Sequence, residues 1–205
     1  MLREGGKGGL LADVSYEPLA YWERRGADYR DPPPNLEDRD EVPNLVRWVG
    51  QANPESVLEV GSGRGRIYQA FQAAGIQVDF RMCDIAESMR RGCRVRTGVL
   101  PDPWDGVRLP YEDAAFDLVI SFSVLLHVPP ADLESHLCEL ARVARRRLFV
   151  ATCTAAEGPL APHCFLHDYA TVLRRSDLTI AREQAYQSKG WTRTHWLLEK
   201  GAAPC

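Results

Sequence analysis

Apolar positions along this chain switch repeatedly between a two-residue and a helical period. Ser56–Val60 is a short apolar run that ends in Gly61-Ser62-Gly63-Arg64-Gly65-Arg66. Ile67, Ala70, Phe71 and Ala74 then recur at helical spacing until Gly75 stops them. Gln77–Cys83 alternates at Val78, Phe80 and Met82, which predicts a strand ending at Asp84. A short helix over Ile85–Arg91, a weaker strand over Arg94–Leu100 and a turn-rich insertion over Pro101–Gly106 follow. Phe116–Phe122 is nearly all apolar, as at the centre of a parallel sheet. Leu133, Leu137, Leu140, Ala141 and Ala144 mark a helix, Arg147–Cys153 a strand, and Tyr169, Val172 and Leu173 a last helix. Leu178–Gln187 and Thr192–Glu199, separated by Ser188-Lys189-Gly190-Trp191, read as an antiparallel hairpin.

Upstream of this core the pattern is looser. Ser15 is positioned to cap a helix carrying Leu19, Tyr21, Trp22 and Arg25, with Tyr29 after it. Asp31-Pro32-Pro33-Pro34-Asn35 forbids regular structure. Val42, Leu45, Val46 and Val49 then predict a helix before Pro54. Strands alternating with helices make a doubly wound α/β sheet. The expected organisation is a lead-in or lid segment over residues 1–40 and one domain over 41–205.

Composition narrows the function classes. The 205 residues suffice for one α/β core, and the net charge of −3 supplies no basic field for nucleic acid. The one basic run, Arg145-Arg146-Arg147, is placed at a helix C-terminus, where cations suit the dipole. No apolar run reaches the roughly 20 residues that span a bilayer, and the glycine-rich start lacks a signal-peptide core. Six scattered cysteines without a Cys-x-x-Cys pair predict reduced thiols in a cytoplasmic protein.

The chemistry sits at the glycine turn. In an open α/β sheet ligands bind beyond the carboxyl ends of the strands. The dinucleotide fingerprint Gly-x-Gly-x-x-Gly needs glycine at position 66, where this chain has Arg66, so the turn points to a nucleoside ligand without a pyrophosphate. Asp84 lies 19 residues beyond Gly65, where an acid accepts both ribose hydroxyls; it is equally placed to cap a helix.

Val57–Arg66, Cys83–Met89 and Leu109–Ser121 together resemble class I S-adenosylmethionine (SAM)-dependent methyltransferases of the small-molecule, type 11-like branch, over roughly residues 40–200. The resemblance implies a Rossmann-like, seven-stranded sheet with an antiparallel C-terminal strand, and SAM as cofactor. It further implies that Glu59 orients the loop and meets the methionine amino group. Gly61, Ser62 and Gly63 line the methionine and ribose. Asp84 holds the ribose, Ile85 packs on adenine with Met89 nearby, and Ser121 and Phe122 flank the methionine through their backbone. The family's acidic residue after the third strand is replaced by Gly98-Val99-Leu100, so Asp102 or Asp105 takes its place, Asp105 having the family spacing to Leu109-Pro110. Trp104 either stacks on adenine or anchors its loop. Tyr16, Tyr21, Trp22 and Tyr29 either close over the donor as a lid or pin their helix to the sheet.

His127, just beyond the fourth strand, is the leading candidate for a base, with capping or packing as the alternative. His163 and His167 follow the fifth strand, where such enzymes hold the acceptor, or else they cap the last helix. Cys164 and Asp168 lie beside them, but four-ligand spacing is absent and no metal is expected. The expected function is methyl transfer from SAM to the O, N or C of a small-molecule acceptor. RNA methylation and SAM binding without catalysis are the alternatives.

Overall fold

The computed structural model describes residues 16–29, 38–176, 178–188 and 190–201. Seven strands form one sheet in the order β3-β2-β1-β4-β5-β7-β6. They are β1 (Ser56–Val60), β2 (Asp79–Asp84), β3 (Asp102–Pro103), β4 (Phe116–Phe122), β5 (Ala144–Ala156), β6 (Leu178–Ser188) and β7 (Trp191–Lys200). The first five are parallel, with Val60 beside both Cys83 and Ser121. β7 runs antiparallel between β5 and β6, the arrangement expected for the C-terminal pair. The strand order reverses at β1/β4, and the carboxyl ends of β1, β2 and β4 therefore open onto one crevice.

Six helices flank the sheet among the described residues: α1 (Pro18–Ala27), α2 (Asp38–Ala52), α3 (Arg66–Ala73), α4 (Glu87–Thr97), α5 (Leu133–Val143) and α6 (Tyr169–Arg175). Each sheet face carries its own core. On one, Leu45, Trp48 and Val49 of α2 meet Ile67 and Phe71 of α3 over Val57, Ile120 and Phe149. On the other, Leu137, Leu140 and Ala141 of α5 cover Leu58, Val119 and Val150. No helix among the described residues is long and apolar enough to cross a membrane.

The structure corrects four sequence expectations. Arg94–Leu100 is no strand: α4 continues to Thr97, because Met89 and Cys93 share its buried face, and Gly98 closes it in the left-handed conformation. The third strand is instead Asp102–Pro103, inside the predicted insertion. Arg145–Arg147 begin β5, with Arg147 in register with Leu118, since α5 ends at Val143. Glu17 occupies the N-cap of α1 without a side-chain bond and Pro18 starts the helix; the expected cap, Ser15, and the proline run lie outside the described residues. Cys83, Cys93, Cys153 and Cys164 are free thiols as expected, but Cys138 is disulfide-bonded.

Candidate functional site

The crevice is built on the turn between β1 and α3. Gly61 and Gly63 both adopt left-handed conformations (φ +72° and +54°) that L side chains seldom reach. Their surroundings differ. A Cβ on Gly61 would lie 2.5 Å from Val124 Cγ2, whereas one on Gly63 would meet nothing within 4 Å. Gly61 is required by packing, and Gly63 faces open space. Asp84, at the end of β2, grips this loop: Oδ2 accepts from Gly63 N (2.7 Å) and Oδ1 from Ala86 N (2.9 Å). Burial raises its pKa, and those two N–H groups oppose the shift.

Three buried side-chain atoms around the turn have no partner among the described residues: Glu59 Oε2, Ser62 Oγ and Ser121 Oγ. Buried polar atoms are ordinarily satisfied, so a row of orphans marks where a polar ligand belongs. Burial pushes the Glu59 carboxyl up to about 8, with the nearby Arg66 pulling it down. Arg66 also lies over the Phe122 ring, 5.1 Å from its centroid. Ile85 lines the next stretch of wall, against which Gly106 packs closely. Met89 is buried behind it. Of the two candidate acids, Asp102 accepts from the Tyr111 hydroxyl. Asp105 accepts from Val107 N and Arg108 N, which lowers its pKa and orders the loop beside Ile85. Trp104 is buried against His136 and anchors that loop.

Helix α1 lies across this region. Glu23 accepts from Ser88 N at the start of α4, and Ser88 Oγ donates to the Glu23 carbonyl. At its far end the Tyr29 carbonyl accepts from Arg64 of the glycine loop. Tyr21 and Trp22 meet the histidines: Tyr21 stacks on His163 at 4.4 Å, and Trp22 stands edge-on to His127 at 4.8 Å. The anchors Glu23 and Arg64 carry no signal in the sequence, because their partners are 65 and 35 residues away.

His127 ends a short 3-10 turn (Leu125–His127) after β4. Its Nδ1–H donates to the His163 carbonyl (2.8 Å), which leaves the lone pair on Nε2. Burial lowers its pKa to about 4, so the ring is neutral near pH 7. His163 is also lowered by burial and lies with Nε2 3.0 Å from the Tyr21 hydroxyl. His167 is spent on the backbone: Nε2 donates to the Leu125 carbonyl, and its ring packs on Tyr169. The structure thus brings His127 and His163 together at the crevice and ties His167 to the fold.

Residues 58–150 match the model of a family described as a methyltransferase domain. Over this stretch, a little under half of the chain, the sequence is similar to SAM-dependent methyltransferases. Ajmaline N-methyltransferase of Rauvolfia serpentina is 29% identical over 119 residues, which is 49% of this chain and 40% of that protein. The chain therefore matches well under half the length of that relative. Magnesium protoporphyrin IX methyltransferase of Synechocystis PCC 6803, solved with bound SAH, superposes with a TM-score of 0.69 at 20% identity, covering 89% of this chain and 97% of that one. The 1,6-didemethyltoxoflavin-N1-methyltransferase of Burkholderia thailandensis gives 0.62 at 19%, covering 79% and 77%. At such identities the likeness establishes the shared fold. SAM is the methyl donor that these likenesses imply, and the open face at Gly63 with the unpartnered polar atoms fits a nucleoside bearing an amino acid.

Proposed function

We propose that this protein transfers the methyl group of SAM to a small-molecule acceptor held beneath α1. The observation that carries the reading is that Glu59 Oε2 of β1, Ser62 Oγ of the glycine turn and Ser121 Oγ of the neighbouring β4 are all buried without partners, while Gly63 of the same turn faces open space. SAM supplies a sulfonium-activated methyl, so the protein's task is alignment, which contributes on the order of 7–11 kcal/mol in favourable cases.

Asp84 keeps lone pairs for the ribose hydroxyls while its other contacts hold the loop. Ile85, Met89 and the Asp105 loop form the adenine side. Glu59 faces the amino group, and the Ser121–Phe122 backbone borders the methionine chain. Tyr29, held by Arg64, closes the donor side. His127 offers Nε2 to the proton that the acceptor's oxygen or nitrogen gives up as the methyl arrives. The His163 carbonyl fixes the tautomer that makes this possible. Helix α1 acts as the lid. Ajmaline, magnesium protoporphyrin IX and didemethyltoxoflavin, the compounds in the relatives' names, are small molecules, which supports an acceptor of that class.

Calorimetry with SAM or SAH tests the donor half directly. The unmutated protein should bind, and Asp84→Ala should bind roughly ten- to a hundredfold more weakly, the worth of hydrogen bonds to a charged acceptor. No binding by the unmutated protein would remove the proposal. Binding without turnover on any acceptor would reduce the protein to a SAM-binding module.

A further inference from the structure

The sequence argued against a metal because no stretch carries four ligands at suitable spacing. The fold adds a ligand from elsewhere. One donor atom each from His127, His163 and Cys164 lies within 4.8 Å of the other two. Within the cluster, Cys164 Sγ and His127 Nδ1 are 3.7 Å apart. That is close to a donor–donor edge of tetrahedral zinc, about 3.5 Å for bonds of roughly 2.0 and 2.3 Å. We propose that His127, His163 and Cys164 form a site for a soft divalent cation of the zinc class.

The backbone pre-sets these donors. His127 N bonds the Val124 carbonyl, Cys164 N bonds the Ala161 carbonyl, and Phe165 N bonds the Leu126 carbonyl, stapling the two segments together. All three side chains are half-buried, so an ion displaces little bulk water yet has an entry path. Two imidazoles and a thiol, with no carboxylate in the cluster, select zinc or cobalt over magnesium or calcium. The Tyr21 hydroxyl, 3.0 Å from His163 Nε2, or a water completes the coordination. On binding, the Cys164 thiol loses its proton to solvent.

The site also regulates, and this consequence rests on the methyl-transfer reading of His127. An ion on Nδ1 replaces the bond to the His163 carbonyl and moves the ring proton to Nε2. The nitrogen that would take the acceptor's proton then already holds one. A filled site silences the base without touching the donor pocket.

The test uses the full chain and cobalt(II) alone as the probe. The expected titration saturates at one ion per chain, with the intense visible spectrum of four-coordinate cobalt and a thiolate-to-metal charge-transfer band. Cys164→Ser should lose that band and at least about tenfold in affinity, since even outer-shell partners of a metal are worth that much. SAH binding by Cys164→Ser, unchanged from the unmutated protein, shows that the variant is folded. His163→Gln should weaken cobalt similarly. A weak six-coordinate spectrum, or a charge-transfer band that survives in Cys164→Ser, overturns the site. With zinc, long-range proton–nitrogen correlations of the imidazoles should report His127 changing from the Nδ1–H to the Nε2–H form; an unchanged tautomer overturns the regulatory step. Neither readout needs turnover, so they stand or fall separately from methyl transfer.

Discussion

At the residue scale, Glu59 carries the most pH-dependent consequence. Its carboxyl is buried on β1 and raised from about 4.5 to about 8. The folded chain therefore holds a proton that the unfolded chain has lost between those values. Glu59 favours folding most below pH about 4.5, and this contribution disappears as pH rises through about 8. Glu59→Gln should flatten that part of the stability-against-pH curve in chemical denaturation. Under the proposed role, the donor's ammonium makes the carboxylate favourable. Binding of SAH near pH 7 should then release about one proton, seen as a dependence of the calorimetric heat on buffer ionisation. Glu59→Gln should abolish that release; an equal release from the variant would discredit Glu59 as its source. Glu59 and Asp84 were legible in the sequence because Asp84 ends β2 and Glu59 stands one residue before the end of β1, next to a recognisable turn. The partnerships of Glu23, Arg64 and Cys164 were not, because each depends on a distant segment.

At the element scale, the glycine turn divides into a packed half and an open half. Gly61→Ala should be strongly destabilising, since its Cβ meets Val124 at 2.5 Å in a conformation that alone costs about 1–2 kcal/mol. Gly63→Ala should cost only that conformational strain, about 1–2 kcal/mol, yet sharply weaken SAH binding, because its Cβ enters the open face. Denaturant midpoints and calorimetry on both variants separate the two; equal donor affinity for Gly63→Ala and the unmutated protein would show that the ligand does not approach there. The sequence reads β1, β4 and the terminal hairpin well, since each has a clear apolar run. It misleads over 94–97, where Arg94-Val95-Arg96 mimics strand alternation. Val95 is 86% exposed on α4, so the alternation there has no packing meaning, and the four-residue spacing of Met89 and Cys93 decides.

At the scale of the whole molecule, a buried polar network ties distant parts of the chain to the rim of the site. Glu41 of α2 lies 3.1 Å from His195 Nε2 on β7, and 2.9 Å from Arg193 Nε, an ion pair without a well-aligned hydrogen bond. Arg193 in turn donates to Ser123, directly after β4, and Asn44 approaches His195 Nδ1 at 3.4 Å. Glu41→Leu should lower stability by about 1–3 kcal/mol, because the fully buried His195 Nε2 loses its hydrogen-bond partner and the half-buried Arg193 guanidinium loses its counter-charge. A denaturant midpoint unchanged by this substitution would show the network to be incidental. Glu41 and His195 lie 154 residues apart and Arg193 and Ser123 lie 70 apart, and nothing local in the sequence announces these pairs. By itself the sequence determined the sheet class, the glycine turn and the acid that ends β2, because hydrophobic period and turn chemistry are properties of neighbouring residues. Only the tertiary structure decided which histidines meet, that Cys164 faces His127, how α1 is fastened over the crevice and which buried polar atoms lack partners. Those are distances between segments that the chain's order leaves open and that packing against the sheet closes.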